Sequence, residues 1–355
     1  MWQANQLVEF LSWKDVSAEL APAKLWEYRN SIILGRLALL EERCNWTPTT
    51  NNLKQLRERL GGDVFRQLVC EPPLGEIVLG LQPSQLDKLV SFLRTEMLFV
   101  SGGETVPKTR WKLDETAKMV DGKVVENSTV VFGHNNRLVF ESPYAQSLDS
   151  DVSMAGENYV PMNRDEAGIV VQKMSEVLAE IQKISANTYS LVNKCATIVN
   201  CWKNSMEVRT HSFSRTSRLG TVFMINAHLP ECSLGLFAEM LIHESIHHFL
   251  SMVEYFGQFM PSSYRHKHKI LMSPWTGRPL HEKNLSHAIL VWFGLMMFFQ
   301  DCEQSPRLSG FAKSRLEFYQ KGFEAVTLPS LFTDIDSLDP RYVELLELLR
   351  TSCAN

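Results

Sequence analysis

The amino-acid sequence predicts an α+β protein that is predominantly α-helical, with a helical N-terminal region, a small β-sheet or hairpin, and a helix-dominated C-terminal region. Two observations support this fold class. Several long stretches place apolar residues at the spacing of helices, whereas β-rich runs are short and gathered in the middle of the chain. We expect three segments, at residues 1–103, 104–164 and 165–355.

The first segment is predicted to be helical. Ala23–Glu42 carries leucine and isoleucine among arginine and glutamate in a roughly amphipathic pattern. After a Pro-Pro break, Ser84 can cap a second helix that runs to Leu98. A Ser-Gly-Gly run then ends the segment, because these residues favour turns over regular structure.

The second segment is predicted to hold a β-hairpin between polar loops. Ser128–Phe132 and Arg137–Ser142 are β-rich, and the Gly-His-Asn-Asn run between them suits a tight connection. The polar stretches Asp114–Asn127 and Gln146–Asn158 predict exposed loops.

The third segment returns to regular structure. Asp165 can begin a long helix that reaches about Tyr189. Short β-like runs and further helices follow. The predicted strands are Thr197–Cys201, Glu207–Phe213 and Gly220–Ile225, and the predicted helices are Ser233–Tyr255, Leu285–Gln300 and one each after Leu308 and Asp339.

The composition of the whole chain argues against several classes of partner. A net charge of −4 over 355 residues offers no basic face for nucleic acid or an acidic membrane surface. No stretch has the ~20 consecutive apolar residues of a membrane span. The first residues lack the pattern of a secretory signal, and seven cysteines without CxxC pairs are typical of reduced thiols. The sequence predicts a cytoplasmic protein with no nucleic-acid or membrane partner, and a homodimer remains open.

The strongest functional signal is the His-Glu-Ser-Ile-His run at residues 243–247, inside a predicted helix with apolar flanks. Residues four apart lie ~40° apart around a helix axis, so His243 and His247 can reach one metal ion. A third protein ligand normally completes such a site. His287 is preferred because it lies within an apolar helix, where an imidazole without a role would be costly to bury. Residues 165–355 are therefore predicted to be the catalytic metal-binding region.

Several other side chains are open or weaker candidates. His281 is an undecided rival of His287, and Glu282 would be the third ligand of a gluzincin-like zinc site. His248 points away from the pair and is predicted to be exposed or satisfied elsewhere. His266 and His268 lie in a basic loop, where solvated histidines are the plainer interpretation.

Two chemistries fit a site of this kind. With zinc, three protein ligands and a water, Glu244 would be the general base of a metallopeptidase. With Fe(II), three ligands on one face leave positions for a 2-oxo acid and for O2. The second chemistry needs a cation for the far carboxylate of 2-oxoglutarate, and bidentate pairing favours arginine. Arg278 and Arg218 are the candidates nearest in sequence.

Four segments occur in an order that resembles a known family; they are residues 217–226 (SRLGTVFMIN), 236–247 (LFAEMLIHESIH), 273–280 (SPWTGRPL) and 285–288 (LSHA). Together they resemble the HExxH-type 2-oxoglutarate- and Fe(II)-dependent peptide β-hydroxylases, which are found with ribosomally made, modified peptides. The likeness covers residues 210–300. It departs from the family at Ala288, where glycine is expected, and in the longer spacer at residues 280–284.

The resemblance implies that His243, His247 and His287 bind Fe(II). It implies 2-oxoglutarate as co-substrate, O2 as oxidant, and hydroxylation of an unactivated β-carbon in a peptide or a carrier-bound amino acid, in natural-product or modified-peptide biosynthesis. Zinc is the alternative metal if the chain is instead an HExxH metallopeptidase.

Glu244 separates these two hypotheses. A peptidase requires this carboxylate to deprotonate water, whereas in a hydroxylase it can only orient a ligand or the substrate. A binding or scaffold protein with an inactive site is a third hypothesis, and it leaves the apolar frame around the histidines unexplained.

Overall fold

The computed structural model describes residues 3–13, 22–43, 48–70, 78, 89–90, 93–94, 110–111, 117–120, 123–126, 129–132, 136–140, 159–204, 206, 208–215, 219–254, 270–325, 332 and 338–354. The chain forms two compact units, each assembled from separate stretches. The first comprises Met1–Leu25, Ile169–Ala196 and His228–Asn355, and the second comprises Trp26–Gly168 and Thr197–Ala227. The predicted boundary at residues 103 and 104 lies outside the described residues, so the division into three segments stays a prediction.

The described elements confirm the predicted α+β class in which helices predominate. The helices are α1 (Ala4–Leu11), α2 (Pro22–Arg43), α3 (Pro48–Leu60), α4 (Gly62–Cys70), α5 (Arg164–Ile184), α6 (Ala186–Cys195), α7 (Leu234–Val253), α8 (Glu282–Asp301), α9 (Ser309–Glu324) and α10 (Pro340–Ala354). The strands are β1 (Arg110–Trp111), β2 (Ala117–Val120), β3 (Lys123–Glu126), β4 (Thr129–Phe132), β5 (Asn136–Val139), β6 (Tyr159–Pro161), β7 (Ile198–Asn204), β8 (His211–Ser214), β9 (Thr221–Ile225), β10 (Ile270–Met272) and β11 (Pro279–His281).

A mixed sheet lies in the second unit. Its strand order is β4-β5-β7-β9-β8, and β6 pairs with the end of β7. The β5–β7 and β7–β9 pairs are parallel, whereas β4 and β8 pair antiparallel at the two ends of the series. Strand β9 is buried along its whole length, as expected of a strand covered on both faces. The predicted hairpin and the three predicted β runs are confirmed, with β8 shorter than the run that predicted it.

One loop prediction in the second unit is wrong. The stretch Asp114–Asn127 was expected to be an exposed loop, but it contributes β2 and β3 to an antiparallel three-stranded sheet with β1. Val120 pairs with Lys123, so only two residues connect the strands, and their sequence is Asp-Gly. Asp-Gly between β-branched residues is a strong hairpin signal, and it outweighs the polar composition of the stretch.

The helices of the second unit share an apolar core. The pattern that predicts a helix over Ala23–Glu42 is confirmed by α2, whose inner face packs with α3 and α4. The helix predicted from Ser84 to Leu98 lies largely outside the described residues, and the parts that are described, Leu89–Val90 and Leu93–Arg94, are helical. The buried residues of this core are Ile33, Leu37, Leu40, Leu53, Leu56, Phe65, Val69, Val78, Leu89, Val90 and Leu93.

Helices α7 and α8 form the centre of the first unit and run antiparallel. The side chain of Ile246 approaches Gly294, and Glu254 after the end of α7 lies near Lys283 at the start of α8. The apolar pattern predicts α8 from Leu285, and the helix begins one turn earlier. The two predicted helices that close the chain are confirmed as α9 and α10.

One predicted helix start is confirmed by its cap, and one predicted long helix is in fact two helices. The Ser233 hydroxyl accepts a hydrogen bond from the backbone N–H of Leu236 and so caps α7. The single long helix predicted from Asp165 to about Tyr189 is interrupted at Ser185. The Ser185 hydroxyl accepts from the backbone N–H of Thr188 and begins α6 as a second helix.

The N-terminal helix α1 is part of the first unit. The ring of Phe10 stacks on Phe249 of α7, with centroids 4.1 Å apart and planes 9° apart. The indole Nε1 of Trp13 donates a hydrogen bond of 2.8 Å to the carbonyl oxygen of Gly294 in α8. Residues at the start of the chain therefore help to hold α7 and α8 together.

Helix α8 and the short 3₁₀ turn that follows it have an unusual composition for a water-soluble protein. Among the described helices, this stretch, Glu282–Gln304, is long and apolar enough to cross a membrane, and 78% of its most apolar window is buried within the protein. The core helix of a soluble protein passes the same test. The extensive burial is that of such a core helix, and it is weak evidence for a membrane span.

Gly322 of α9 provides a test of the packing in the first unit. A Cβ atom added there would lie 2.0 Å from Cδ1 and Nε1 of the Trp275 indole. That indole donates a hydrogen bond of 3.1 Å to the carbonyl oxygen of Tyr319. We expect Gly322→Ala to displace the indole and to lower the free energy of unfolding by about 1–3 kcal/mol, the usual cost of overpacking.

The matched control is Gly310→Ala in the same helix, where an added Cβ meets nothing within 4 Å. Alanine at that position should be neutral or should stabilise by up to ~1 kcal/mol. Urea unfolding of the two variants measures the difference. Equal changes in both would contradict the close contact between Gly322 and Trp275.

Candidate metal centre

The two motif histidines are the accessible positions of an otherwise buried helix. Between Phe237 and Leu250 of α7, every residue is buried except His243 and His247, which keep intermediate exposure. The apolar flanks of the motif pack against the rest of the unit, and the four-residue spacing brings both imidazoles to one face. The helix therefore presents two imidazoles, and little else, to any molecule that reaches it.

The structure brings His287 to this pair. The ring centroids of His243 and His247 are 4.9 Å apart, and those of His247 and His287 are 6.0 Å apart. A metal–nitrogen bond of ~2.1 Å puts the centroid of a ligating ring roughly 3.2 Å from the ion, so two ligating rings are separated by about 4.5–6 Å. The observed separations fall in this range, and the donor set of three imidazoles suits zinc or iron.

The three rings are close together but not yet arranged as ligands. Within the described part of the chain, no group of three or more His, Cys, Asp or Glu side chains has the geometry of a ready metal site. The rings of His247 and His287 lie only 22° from parallel, whereas rings that share an ion must point their nitrogens at it. The imidazole side chains would have to rotate before their nitrogens could converge on one ion.

Glu254 is a carboxylate beside the third histidine that the sequence reasoning missed. Its Oε2 lies 3.4 Å from Nε2 of His287 and 3.5 Å from Nζ of Lys283. Burial raises the pKa of this carboxyl, but the hydrogen bond and charge of His287 and the charge of Lys283 outweigh it and leave the pKa lowered. A carboxylate in this position can orient an imidazole toward a metal. Its spacing of seven residues from His247, two helical turns, is the sequence pattern that could have indicated it.

Glu244 and His248 flank the two motif histidines along the same helix. Glu244 is 3% exposed, and its charge acts on His247. His248 is 1% exposed, so of the two expectations for it, exposed or satisfied within the protein, the first is wrong.

The rival third ligands occupy the start of α8. His281 is exposed at the N-cap position, and its backbone pairs with Ile270 in the two-stranded β10–β11 sheet. Glu282 is buried in the first turn of the helix. Because the ring contact with His247 is made by His287, the geometry favours His287 over His281. His266 and His268 lie outside the described residues.

Of the two arginines proposed for 2-oxoglutarate, only Arg278 lies within the described residues. Arg278 is exposed in the turn between β10 and β11, and among the described residues its side chain has no ion pair with an acidic group. Arg218 lies outside the described residues. Both assignments stay predictions.

A different arginine, Arg315 of α9, lies close to His243. It forms an ion pair with Glu239, which precedes His243 by four residues on α7 and so shares its face. The ring of Trp292 in α8 contacts His243, with centroids 5.3 Å apart. It also contacts Phe318 at 5.6 Å, and the Arg315 guanidinium lies over that Phe318 ring. No motif in the sequence marks Arg315, because the pairing depends on how α9 packs against α7.

Burial keeps the two motif histidines neutral. Burial, reinforced by the positive charge of Arg315, lowers the pKa of His243 from 6.5 to about 4. Burial also lowers the pKa of His247 to about 3, with a smaller contribution from His243. Both rings lie deep in the protein although each keeps some accessible surface. The neutral imidazole is the form that binds a metal, and both rings are in that form near pH 7.

The family resemblance can be compared with this geometry. Of the four quoted segments, three lie in the first unit. Two of them meet at Trp292, whose ring contacts His243 of one segment and Trp275 of the other. The fourth, residues 217–226, belongs to the second unit, where it contributes β9. No protein-family model matches the chain, and no curated protein matches it in sequence.

The lowered pKa values predict how the metal-free protein responds to acid. Below pH 6.5 the unfolded chain binds protons at His243 and His247 while the folded chain does not. The associated stability is complete above pH 6.5 and is lost progressively as the pH falls toward 4 and then 3. We expect the urea midpoint of chelator-treated protein to fall across this window.

Replacing His243 with glutamine should flatten that pH dependence, because one of the two protonation sites is removed. His281→Gln is the matched control, since this histidine is exposed and should leave the slope unchanged. A pH profile that is the same in wild type and His243→Gln would contradict the assignment.

Proposed function

We propose that the chain is an Fe(II)- and 2-oxoglutarate-dependent dioxygenase that hydroxylates a peptide or a carrier-bound amino acid at an unactivated β-carbon. The observation that carries the proposal is the position of His287, whose ring lies 6.0 Å from that of His247 and adds a third imidazole to the His243–His247 pair. Three imidazole ligands contribute no negative charge. An Fe(II) ion held by them keeps its full charge, which favours binding of the 2-oxoglutarate dianion.

Each residue of the site has a separate task in this proposal. His243 and His247 of α7 and His287 of α8 would hold the ion, and Glu254 would orient the His287 ring. Trp292 packs edge-on against His243, at 70° between the planes, and limits how that ring can turn. Fe(II) with 2-oxoglutarate and O2 supplies oxidation of unactivated C–H bonds. The α7–α8 pair supplies a rigid frame that is largely closed to water.

The substrate class comes from the family resemblance. The order of the four segments between residues 217 and 288 is that of enzymes that act on ribosomally made peptides. A peptide or carrier-bound amino acid would approach the accessible edges of His243 and His247, since the rest of the middle of α7 is covered.

An HExxH zinc metallopeptidase is the second candidate, and Glu244 is the observation that favours it. This carboxyl is 3% exposed and follows His243 directly, as the general base of such peptidases does. Glu282, buried in the first turn of α8, would be its third ligand. A histidine such as His287 could serve as that ligand equally well, so the donor set alone does not rank the two candidates. We place the peptidase second because the order of the four segments resembles the hydroxylase family.

Reconstitution of chelator-stripped protein tests the metal and the co-substrate together. With Fe(II), 2-oxoglutarate and O2, we expect succinate to form and a peptide substrate to gain one oxygen atom by mass. His287→Ala should abolish this activity and weaken metal binding, because it removes a ligand. His281→Ala, a change in an exposed histidine six residues earlier, should retain both. Proteolysis by the zinc-loaded protein, with no succinate from the Fe(II) form, would contradict the proposal.

Glu244→Gln separates the two candidates by the size of its effect. In a dioxygenase this side chain only supports the site, so we expect a partial loss of activity, of the order of 10–100-fold at most. In a zinc peptidase it deprotonates the attacking water, so the same change should abolish turnover. Metal content measured on the same preparations shows whether any loss of activity follows from loss of the ion.

A further inference from the structure

We infer that Arg315 holds the far carboxylate of 2-oxoglutarate, in place of Arg278 and Arg218. The inference rests on the proposed function and names the cation that this co-substrate requires. Arg315 of α9 pairs with Glu239 on the face of α7 that carries His243, and it shares aromatic neighbours with that histidine, whereas Arg278 is exposed.

Glu239, the ion-pair partner of Arg315, lies about one co-substrate length from His243 along α7. This glutamate lies one helical turn before His243 on the same face of α7. One turn of helix rises ~5.4 Å, which is about the distance that a five-carbon diacid spans between its ends. A 2-oxo acid whose keto end lies at the histidines would therefore bring its other end to the guanidinium.

The guanidinium is fixed in place yet has donors to spare. It forms an ion pair with Glu239 and lies over the rings of Phe318 and Tyr319, at 4.2 and 5.2 Å from their centroids. Arginine has five N–H donors in a planar fork, and the hydrogen bond to Glu239 uses Nη2, so that carboxylate does not engage all of them. The side chain is 25% exposed, so a ligand can reach it.

Arg315 and His243 line one continuous wall. Trp292 contacts His243 at 5.3 Å and contacts Phe318 and Tyr319 at 5.6 Å each, and these are the rings on which the guanidinium lies. A ligand lying along Trp292 would meet an imidazole at one end and the guanidinium at the other. Aromatic walls of this kind are common in small-molecule sites.

A second carboxylate beside Glu239 can be accommodated. Burial raises the pKa of the Glu239 carboxyl, and the opposing charge of Arg315 does not cancel that rise. Glu239 can therefore take up a proton more readily than an ordinary glutamate, and this would relieve the repulsion between two carboxylates beside one guanidinium. Arg278, in contrast, is exposed, and holding a ligand there would require a solvated side chain to become ordered.

Binding of two 2-oxo acids to the Fe(II)-loaded full chain without oxygen tests the inference. We would compare 2-oxoglutarate with 2-oxopentanoate, which has the same chain length and no far carboxylate. Arg315→Gln should weaken 2-oxoglutarate binding roughly 10–100-fold, as expected for loss of a charged contact, and should leave 2-oxopentanoate unchanged. Arg278→Gln is the matched control and should change neither affinity. Calorimetry measures both affinities without turnover.

Two further variants guard against a fold defect. Arg315→Gln leaves Glu239 without its ion pair, so the double variant Glu239→Gln/Arg315→Gln removes both charges and should show the same loss of selectivity. Arg315→Lys keeps a positive charge without the planar fork and should lose part of the affinity. The melting temperature of each variant reports its folding.

The outcomes separate this inference from the proposed function. If the wild type binds neither 2-oxo acid, the proposed function is wrong and this inference with it. If the wild type prefers 2-oxoglutarate and only Arg278→Gln loses that preference, the function stands and the assignment to Arg315 is overturned. A loss that affects both acids equally in Arg315→Gln and in the double variant would show a purely structural ion pair, and would also overturn the assignment.

Discussion

The antiparallel packing of α7 against α8 is the constraint on which the rest of the site depends. It contributes to the burial of α7, and it is what brings His287 of one helix to His247 of the other. The close approach is possible because Gly294 lies under Ile246, where an added Cβ would come within 2.9 Å of that side chain. A glycine inside a helix costs roughly 1 kcal/mol relative to alanine, and here the cost permits the helix contact that assembles the three imidazoles. The hydrogen bond from Trp13 to the Gly294 carbonyl oxygen adds α1 to the same junction.

One face of α7 and the residue that caps its end carry a row of four ionisable side chains, Glu239, His243, His247 and Glu254. The two histidines lie in the middle and are neutral because they are buried. A carboxylate lies at each end of the row, and each has a cationic partner from another helix, Arg315 from α9 and Lys283 from α8. The carboxylates at the ends are thus paired with cations, while the two histidines between them are neutral. Core histidines with no role in binding would not require this distribution, since neutral apolar residues of similar size would pack more favourably.

Local patterns in the sequence predict the helices well and predict the site in part. The apolar period predicts α7, α8, α9 and α10, and the His-x-x-x-His spacing places two imidazoles on one face, because both depend only on neighbours along the chain. His287 could be proposed because an imidazole in an apolar helix is costly unless used. Arg315 could not be proposed from the sequence, since it lies 76 residues from Glu239 and the two are paired only by the packing of α9 against α7. The β2–β3 hairpin differs, because its polar composition is typical of a loop and the Asp-Gly turn is the local pattern that indicates paired strands.

The accessible yet neutral histidines also bear on stability. Two imidazoles buried within 4.9 Å of each other lower the acid stability of the metal-free chain, because each must stay unprotonated to remain folded. An ion that binds only the folded state adds RT ln(1 + [L]/Kd) to the free energy of unfolding, about 2.7 kcal/mol at a hundredfold excess over Kd. If the proposed metal binds, the arrangement that lowers the acid stability of the empty site would make stability depend on the metal. A site that is destabilising when empty and stabilising when filled is expected of a binding centre, and this dependence would distinguish the α7 histidines from an ordinary buried helix face.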